Sequence, residues 1–241
     1  MLLTSPCAFA KTLTFATDPF PPFYYEKNGK PQGMQYELAK IIFSSMNTRF
    51  KIKFVPWKRA LLMAESGKVD GVFGLRRTQE RQRWMIFPEE PLMNVYTVIF
   101  KRADDPFVFD GIPSLAGKNI GIIKGYTYGN EFDKSNLFRK EEVANLRQNF
   151  LKLKAGRIDL VAGYRTVGLH VLKEMDMLGQ IVKCRGKIHV SPLYIGFTNN
   201  PGNGKISRKF SKHLIKFKTS DECEEVMRSI GILPELISPC K

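Results

Sequence analysis

The sequence predicts an α/β protein built from two units in series. Its 241 residues exceed the usual size of one hydrophobic core, since a domain commonly takes roughly 100–200 residues. Segments with strand-like alternation take turns with segments of helical spacing, in the order β-α-β-α-β as far as NVYTVIFKR. After Asp104-Asp105-Pro106 the same alternation begins again, which predicts a second unit of the same class.

The first unit is predicted from six segments. KTLTFAT alternates as a strand does, and the prolines of DPFPPFYY end it. MQYELAKIIFSSMN has apolar residues at helical spacing, and FKIKFVPW is a second strand. ALLMAESGK is a helix closed by Gly67, VDGVFG a third strand, and TQERQRWM a short helix.

The second unit repeats this order. IGIIKGYTYGNEFDK predicts a strand, a glycine turn and the start of a helix, and LRQNFLKLKAGRIDLVAGY predicts a helix, a turn at Gly156 and a strand. The helix TVGLHVLKEM and the extended stretch IHVSPLYIGFTNN follow. Two terminal helices are predicted around ISRKFSKHLIKFK and DECEEVMRSIG.

Charge is the most unusual property of the composition. There are 38 basic and 23 acidic residues, a net charge of +15, so the long-range field favours anionic ligands or surfaces. The basic residues are scattered along the chain, without zinc-finger spacing or a single-strand-binding signature. We therefore expect no nucleic-acid partner.

The first residues resemble the end of an export signal. Ala8-Phe9-Ala10 matches the small-x-small pattern at a signal-peptidase site, so we expect residues 1–10 to be a signal remnant and the mature chain to begin at Lys11. A frayed tail of a cytosolic protein is the alternative. No later run approaches the ~20 apolar residues of a membrane span, and the predicted location is the periplasm.

The cysteines are compatible with that compartment. Cys7 leaves with the signal, and Cys223 and Cys240 flank one short segment that a disulfide could close in an oxidising environment. Cys184 then remains as a small buried apolar residue. The cysteine and histidine spacing predicts no metal site.

No catalytic residue is predicted. His170, His189 and His213 stand apart from one another and from Cys, Ser or Asp partners in motif spacing. A nucleophile elbow, an HExxH motif and a paired-carboxylate signature are all missing from the sequence. We expect neither an enzyme nor a cofactor.

A family resemblance rests on several motifs in order: TDPFPPFYYEKNGKPQGMQYELAKII, VPWKRALLMAESGKVDGVFG, TQER, FPEEPL, LAGKNIGIIKGYTYG and GRIDLVAGY. This succession, which covers nearly everything after Lys11, resembles the extracellular solute-binding proteins of family 3. Those are periplasmic receptors for polar amino acids that serve ABC importers. The resemblance implies a type II periplasmic-binding-protein-like clamshell of two lobes, each an α/β sandwich.

The resemblance also implies domain boundaries. Lobe 1 is expected to take residues 11–100 and 195–241, and lobe 2 residues 101–194. Two crossover hinge segments are expected near 100–102 and 193–197. Closure of such lobes over a ligand is a hinge motion.

The arginine that grips the ligand carboxylate in this family lies in a Thr-x-x-Arg motif, which Thr78-Gln79-Glu80-Arg81 matches. The resemblance therefore implies that Arg81 is the carboxylate clamp, with Thr78 and Gly74 in the same site. A planar guanidinium suits a carboxylate because it donates two parallel charge-assisted hydrogen bonds. The alternative is a surface arginine paired with Glu80 or Glu90.

The arginines near Arg81 are expected to differ in their roles. Arg76 stands where relatives have a small Ser or Thr, so its side chain either fills part of the pocket or turns away. If it points inward, the ligand should carry a second negative charge or a strong acceptor. Arg77 and Arg83 are expected to be solvated.

Three further residues of the first unit match ligand-site positions of the family. Phe20 and Trp57 correspond to rings that enclose the ligand side chain, although both could instead be core residues. Asp18 matches an acidic residue at the rim. Arg59 is either a second anion contact or a helix-surface residue.

In the second unit, Gly125-Tyr126-Thr127-Tyr128-Gly129 follows a strand and opens a helix. We expect its free backbone N–H groups to form an anion site that includes Tyr126 and Thr127. Relatives have an amine-binding Asp where this chain has Tyr164, and a phenol does not supply that charge. Asp18 or backbone carbonyls could bind the amine instead, or the ligand could be a small organic acid or a short peptide.

The resemblance implies a monomeric periplasmic receptor that captures a small carboxylate-bearing solute, a polar amino acid in the first instance, for the membrane permease of an ABC transporter. Two alternatives remain on the same fold. One is a ligand-sensing domain that signals to a kinase, and the other is a small dehydratase-like periplasmic lyase.

Overall fold

The computed structural model describes residues 12–231. Within this range the chain divides into two compact units, the first formed by residues 12–93 and 193–231 and the second by residues 94–192. The chain thus passes between the units twice. The unit boundaries fall between residues 93 and 94 and between residues 192 and 193.

The first unit has a mixed sheet with helices before and after its strands. Its strands are β1 (Leu13–Thr17), β2 (Tyr25–Lys27), β3 (Lys30–Gln32), β4 (Phe50–Phe54), β5 (Gly71–Leu75) and β6 (Met85–Ile86). Its helices are α1 (Met34–Ser45), α2 (Trp57–Glu65) and α3 (Gln79–Gln82).

The second unit contributes β7 (Met93–Arg102), β8 (Asn119–Ile123), β9 (Arg139–Val143), β10 (Leu160–Tyr164) and β11 (Ile181–Lys183). Its helices are a short 3₁₀ helix (Ile112–Leu115), α4 (Asn130–Lys134), α5 (Leu146–Lys154) and α6 (Arg165–Glu174). The chain then returns to the first unit through β12 (His189–Thr198), α7 (Asn203–Lys218) and α8 (Cys223–Ser229).

Strand order follows from the crossovers. In the first unit β1 lies between β4 and β5 and is parallel to both, and β12 is antiparallel to β5 and to β6. In the second unit β8 is parallel to β9 and β10, and β7 is antiparallel to β10 and β11. Parallel neighbours joined by helices are the expected product of alternating strand and helix segments.

Aromatic packing holds the first core together. The Phe15 ring on β1 is fully buried, with its centroid 5.6 Å from that of Phe43 and 5.5 Å from that of Phe197. Tilted and edge-to-face ring pairs at this separation are favourable beyond their burial of apolar area. One ring from β1 therefore joins α1 to the returning strand β12.

Most predicted elements are confirmed, including the helix after Gly33, the helix closed by Gly67 and the long extended stretch of β12. The β2–β3 hairpin and the short strands β6, β9 and β11 were not predicted. Cys184 is free and buried, as expected. Cys223 is disulfide-bonded, whereas its predicted partner Cys240 and the predicted signal remnant at 1–10 lie outside the described residues.

Gly168 allows close packing between α6 and the second core. A Cβ atom at this position would lie 2.7 Å from Cε2 of Phe100, whose buried ring packs on Phe150 with centroids 5.3 Å apart. Since the ring has no free space to move into, the helix cannot accept a larger residue here without distortion.

We expect Gly168→Ala to lower stability by about 1–2 kcal/mol through overpacking, although helix propensity alone would favour alanine. Thermal unfolding followed by circular dichroism measures the change. The same Gly168→Ala change should cost less stability in a Phe100→Leu background than in the wild type, because the ring that the new methyl group meets is gone. A more stable Gly168→Ala protein would contradict this packing.

Candidate functional site

Arg81 is positioned by a short helix, α3, that starts four residues after the last residue of β5. Thr78 is the N-cap residue of α3, and its Oγ1 accepts a hydrogen bond from the Arg81 backbone N–H at 3.2 Å. A threonine cap satisfies one of the donors that a helix start leaves unpaired. The Thr-x-x-Arg spacing thus fixes the backbone of Arg81 relative to the end of the strand.

The Arg81 side chain is held from two sides. Its Nη1 donates to the Arg76 carbonyl oxygen at 2.8 Å, and its Cζ lies 5.7 Å from the centroid of the Trp57 ring. Carbonyl and ring both stabilise a cation. Trp57 is the first residue of α2, so three segments of the chain meet at this guanidinium.

The charge of Arg81 is incompletely compensated. Partial burial lowers the pKa of its guanidinium, the nearby Arg76 charge lowers it further, and Glu80 opposes both. Within residues 12–231 Arg81 makes no ion pair, and Glu90 pairs instead with Lys218 at 2.6 Å. The alternative of a surface arginine paired with Glu80 or Glu90 is therefore not what the structure contains.

The other arginines differ in burial. Arg76 is half-buried, whereas Arg77 and Arg83 are exposed as predicted. Arg59 is exposed on α2, which agrees with a helix-surface residue. Of these four arginines, Arg76 alone is partly shielded from solvent, as Arg81 is.

Gly74 lies on β5 against an aromatic residue that the sequence analysis missed. A Cβ at Gly74 would clash with the Tyr24 hydroxyl, and the glycine φ is +69°, a conformation that disfavours other residues. Tyr24 also accepts, through its carbonyl oxygen, a hydrogen bond from the Phe20 N–H at 2.7 Å. The turn that carries Phe20 is therefore packed against β5.

Phe20 and Asp18 are both half-buried in this turn. The Phe20 ring stacks on Phe23 with centroids 5.3 Å apart, so one face of Phe20 serves the core. Burial raises the pKa of the Asp18 carboxyl above its ordinary value, and a hydrogen bond at its own backbone opposes the rise. Asp18 is thus a carboxylate whose charged form lacks full solvation.

In the second unit the structure brings together three predicted residues. The Tyr164 hydroxyl donates to the Thr127 carbonyl oxygen at 3.3 Å, and the Tyr126 and Tyr164 ring centroids lie 6.1 Å apart. Tyr126 and Thr127 follow β8, and Tyr164 is the last residue of the adjacent parallel strand β10. Residues after the carboxyl ends of such strands meet at one sheet edge, which is where α/β proteins place ligand sites.

Three backbone N–H groups of the glycine turn, those of Tyr126, Tyr128 and Gly129, are hydrogen-bonded within the chain rather than free. The Asp133 carboxylate accepts hydrogen bonds from the Tyr128 N–H at 3.0 Å and the Gly129 N–H at 3.2 Å. The Tyr126 N–H donates to the Ile123 carbonyl oxygen at 3.1 Å. The chain's own carboxylate therefore already occupies the start of α4, because a negative group is stabilised there whether or not it belongs to a ligand.

Residues 12–231 contain no group of three or more His, Cys, Asp or Glu side chains able to hold a metal ion. In the same range, no helix combines the length and apolar character needed to cross a bilayer.

Comparison with known proteins identifies the family. The sequence profile of the bacterial extracellular solute-binding proteins, family 3, matches residues 13–229. The chain belongs to this family. Members are binding proteins, which confirms the prediction that this family 3 protein is not an enzyme.

Individual relatives are distant. The probable amino-acid-binding protein YxeM of Bacillus subtilis (strain 168) is 21% identical over 198 residues, covering 80% of this chain and 73% of YxeM. A histidine kinase sensor domain with similarity to periplasmic binding proteins superimposes with a TM-score of 0.74 at 21% identity, over 93% of this chain and 98% of that domain. An ancestral arginine-binding protein bound to arginine gives 0.72 at 24% identity, over 91% and 98% of the two chains.

At these identities the structural likeness shows the fold. The prediction of an α/β periplasmic-binding-protein-like architecture is confirmed.

Removing the internal cap should loosen the glycine turn. We expect Asp133→Ala to cost about 1 kcal/mol and to speed amide hydrogen exchange at Tyr128 and Gly129, because their acceptor is lost. Exchange measured by NMR tests this, with Glu131→Ala, an exposed substitution on the same helix, as the control. Unchanged protection at both amides would show that Asp133 does not cap the turn.

The Asp18 carboxyl should make stability depend on pH. Because its pKa is higher in the folded chain than in the unfolded chain, its contribution to stability falls as pH rises from the ordinary value of 3.8 through the folded pKa. Asp18→Asn should therefore raise the melting temperature near neutral pH, by an amount that shrinks as the pH is lowered toward that value. Melting curves of both proteins over this pH range test the prediction. Equal differences in melting temperature at every pH would contradict an effect of the Asp18 carboxyl.

Proposed function

We propose that this solute-binding protein is a periplasmic receptor that captures a small carboxylate-bearing solute, a polar amino acid, for an ABC importer. The observation that carries the proposal is Arg81, a half-buried guanidinium without a carboxylate partner in residues 12–231. A desolvated cation without an opposite charge is costly to keep. An incoming carboxylate would remove that cost and receive two charge-assisted hydrogen bonds.

Asp18 supports an amino acid rather than a simple acid as the solute. Burial disfavours the charged form of Asp18, just as it disfavours the charged form of Arg81. Neither residue has an ion pair among the described residues. A zwitterion supplies a carboxylate for Arg81 and an ammonium for Asp18, and we propose Asp18 for the amine because Tyr164 stands at the position of the usual amine-binding Asp.

The ring and glycine positions complete the proposed site. Trp57 borders Arg81 directly, and Phe20 and Gly74 flank Tyr24 on the same unit. Within the second unit, Tyr126, Thr127 and Tyr164 form a separate aromatic cluster that we propose as a solute-contacting surface. The hinge segments near 100–102 and 193–197, the monomeric state and the permease partner belong to the same proposal.

Arg76 lies close to the proposed clamp. It is half-buried, and its charge lowers the pKa of Arg81.

A sensor domain is the second candidate. The observation in its favour is the similarity of the fold to a histidine kinase sensor domain. Both functions need the same binding step, and they differ in the membrane partner. Cross-linking of the protein in cells of its source organism, followed by mass spectrometry, distinguishes a permease from a kinase.

The binding proposal is tested with a thermal-shift screen of the twenty amino acids and small dicarboxylates, since a ligand of the folded state raises the melting temperature by mass action. Isothermal titration with the strongest hit then compares variants. We expect Arg81→Ala to weaken binding by about 2 kcal/mol, roughly thirtyfold, because the carboxylate loses its paired donors.

Arg83→Ala is the matched control, since Arg83 is exposed at the end of the same helix, and its affinity should equal that of the wild type. Arg81→Lys should fall between the two, because lysine keeps the charge but not the bidentate geometry. Full affinity in Arg81→Ala would refute the clamp.

A further inference from the structure

A basic stripe runs along the exposed face of α7. Lys205, Arg208, Lys212 and Lys216 are all exposed, and their spacing of three and four residues places them on one side of a helix. Phe210 and Leu214 are buried on the opposite side. At a rise of 1.5 Å per residue the stripe extends over about 16 Å.

These four cations serve no visible structural purpose. Among residues 12–231 none of them makes an ion pair, in contrast to Lys218 on the same helix, which pairs with Glu90 at 2.6 Å. Lys209 is also engaged, since its Nζ donates to the Met46 carbonyl oxygen at 2.8 Å. The lysines of α7 therefore form two groups. Lys209 and Lys218 bond to other segments of the first unit, whereas the lysines of the stripe are exposed.

A cavity of about 650 Å³ lies beside the stripe, within the first unit. Arg208, Lys212 and Ile215 of α7 line one wall, and residues 86–89, with the apolar Ile86 and Phe87, line another. Arg77 adds a third cation, against the single carboxylate of Glu89. The cavity thus combines an apolar surface, in which Ile215 is 39% exposed, with a net positive rim.

Hydrogen bonds between the two walls keep the cavity formed. Ser211 Oγ on α7 accepts from the backbone N–H groups of Glu89 at 3.1 Å and Glu90 at 3.4 Å. Lys218 Nζ donates to the Pro91 carbonyl oxygen at 2.8 Å. A surface that is already ordered loses little conformational entropy when a partner binds.

We infer that this surface, defined by Lys205, Arg208, Lys212, Lys216, Arg77 and the cavity, docks an acidic segment of a partner protein that inserts one apolar side chain into the cavity. A small anion would not extend along the stripe. Lipid headgroups would pair with the cations but would not fill the apolar cavity. An acidic segment with an apolar anchor uses both features, as a buried anchor surrounded by complementary charges does in protein interfaces.

A direct test uses a fluorescein-labelled twelve-residue peptide of Glu and Asp with two central leucines. Fluorescence anisotropy at low salt should show binding that weakens as salt is added. We expect Arg208→Ser/Lys212→Ser to reduce affinity at least tenfold. Lys51→Ser/Lys53→Ser, which removes two exposed lysines from β4, changes the net charge equally and should leave affinity within about twofold of the wild type.

Two further variants separate the parts of the surface. Ile215→Ser should weaken peptide binding at unchanged charge, because it makes the cavity wall polar. Arg77→Ser removes a rim cation outside α7, so it reports on the same surface even if the α7 variant unfolds. Circular dichroism establishes folding for each variant.

Several results would overturn the inference. Equal losses in the α7 and β4 double variants would mean nonspecific attraction to a basic protein. An undiminished affinity in Ile215→Ser would mean that the cavity is not used. Binding to phosphatidylglycerol vesicles but not to the peptide would assign the stripe to a membrane surface. Solute titration of the α7 variant should match the wild type, so this inference and the proposed solute site fail or succeed separately.

Discussion

The arrangement of the first unit's candidate site depends on how one cation, Arg81, is kept partly away from water without an ion-pair partner in residues 12–231. The Thr78 cap, the Arg76 carbonyl and the Trp57 ring together hold the Arg81 guanidinium in place. Neutral dipoles and a ring reduce the cost of desolvation without cancelling the charge. A carboxylate in the same place would add stability but occupy the guanidinium donors; residues 12–231 place none there, which leaves the donors for the proposed solute.

The fold was predictable where periodicity is strong. α1 and β12 are long segments whose apolar pattern matches only one type of structure. The β2–β3 hairpin was missed because its strands have three residues each, although Asn28-Gly29 at its turn has positive φ at both residues and is a known hairpin signal. β9, with the sequence RKEEV, is too charged to suggest a strand, and only pairing with β8 makes it one.

The sequence pointed to the residues of the candidate site but not to their hydrogen-bond partners. The Thr-x-x-Arg spacing led to Arg81, but no sequence pattern revealed that Asp133 accepts from the glycine turn. An acidic residue in the first helical turn is a recognised capping signal, so Asp133 could have been considered as an internal competitor for that turn. The contact of Tyr24 was not predicted, because it is a tertiary contact with Gly74 that depends on the glycine having no side chain.

The net charge of +15 includes cations in two different environments, the partly buried Arg81 and the exposed residues of α7. Arg81 acts at short range, in partial burial, where salt screens an interaction only weakly. The α7 cations are exposed, so their attraction reaches farther through solvent but declines steeply as ionic strength rises. The two proposals therefore use the basic excess differently, since the proposed solute site depends on short-range desolvated geometry and the proposed docking surface on long-range attraction. Ionic strength is the variable that separates the two, because it weakens the second effect long before the first.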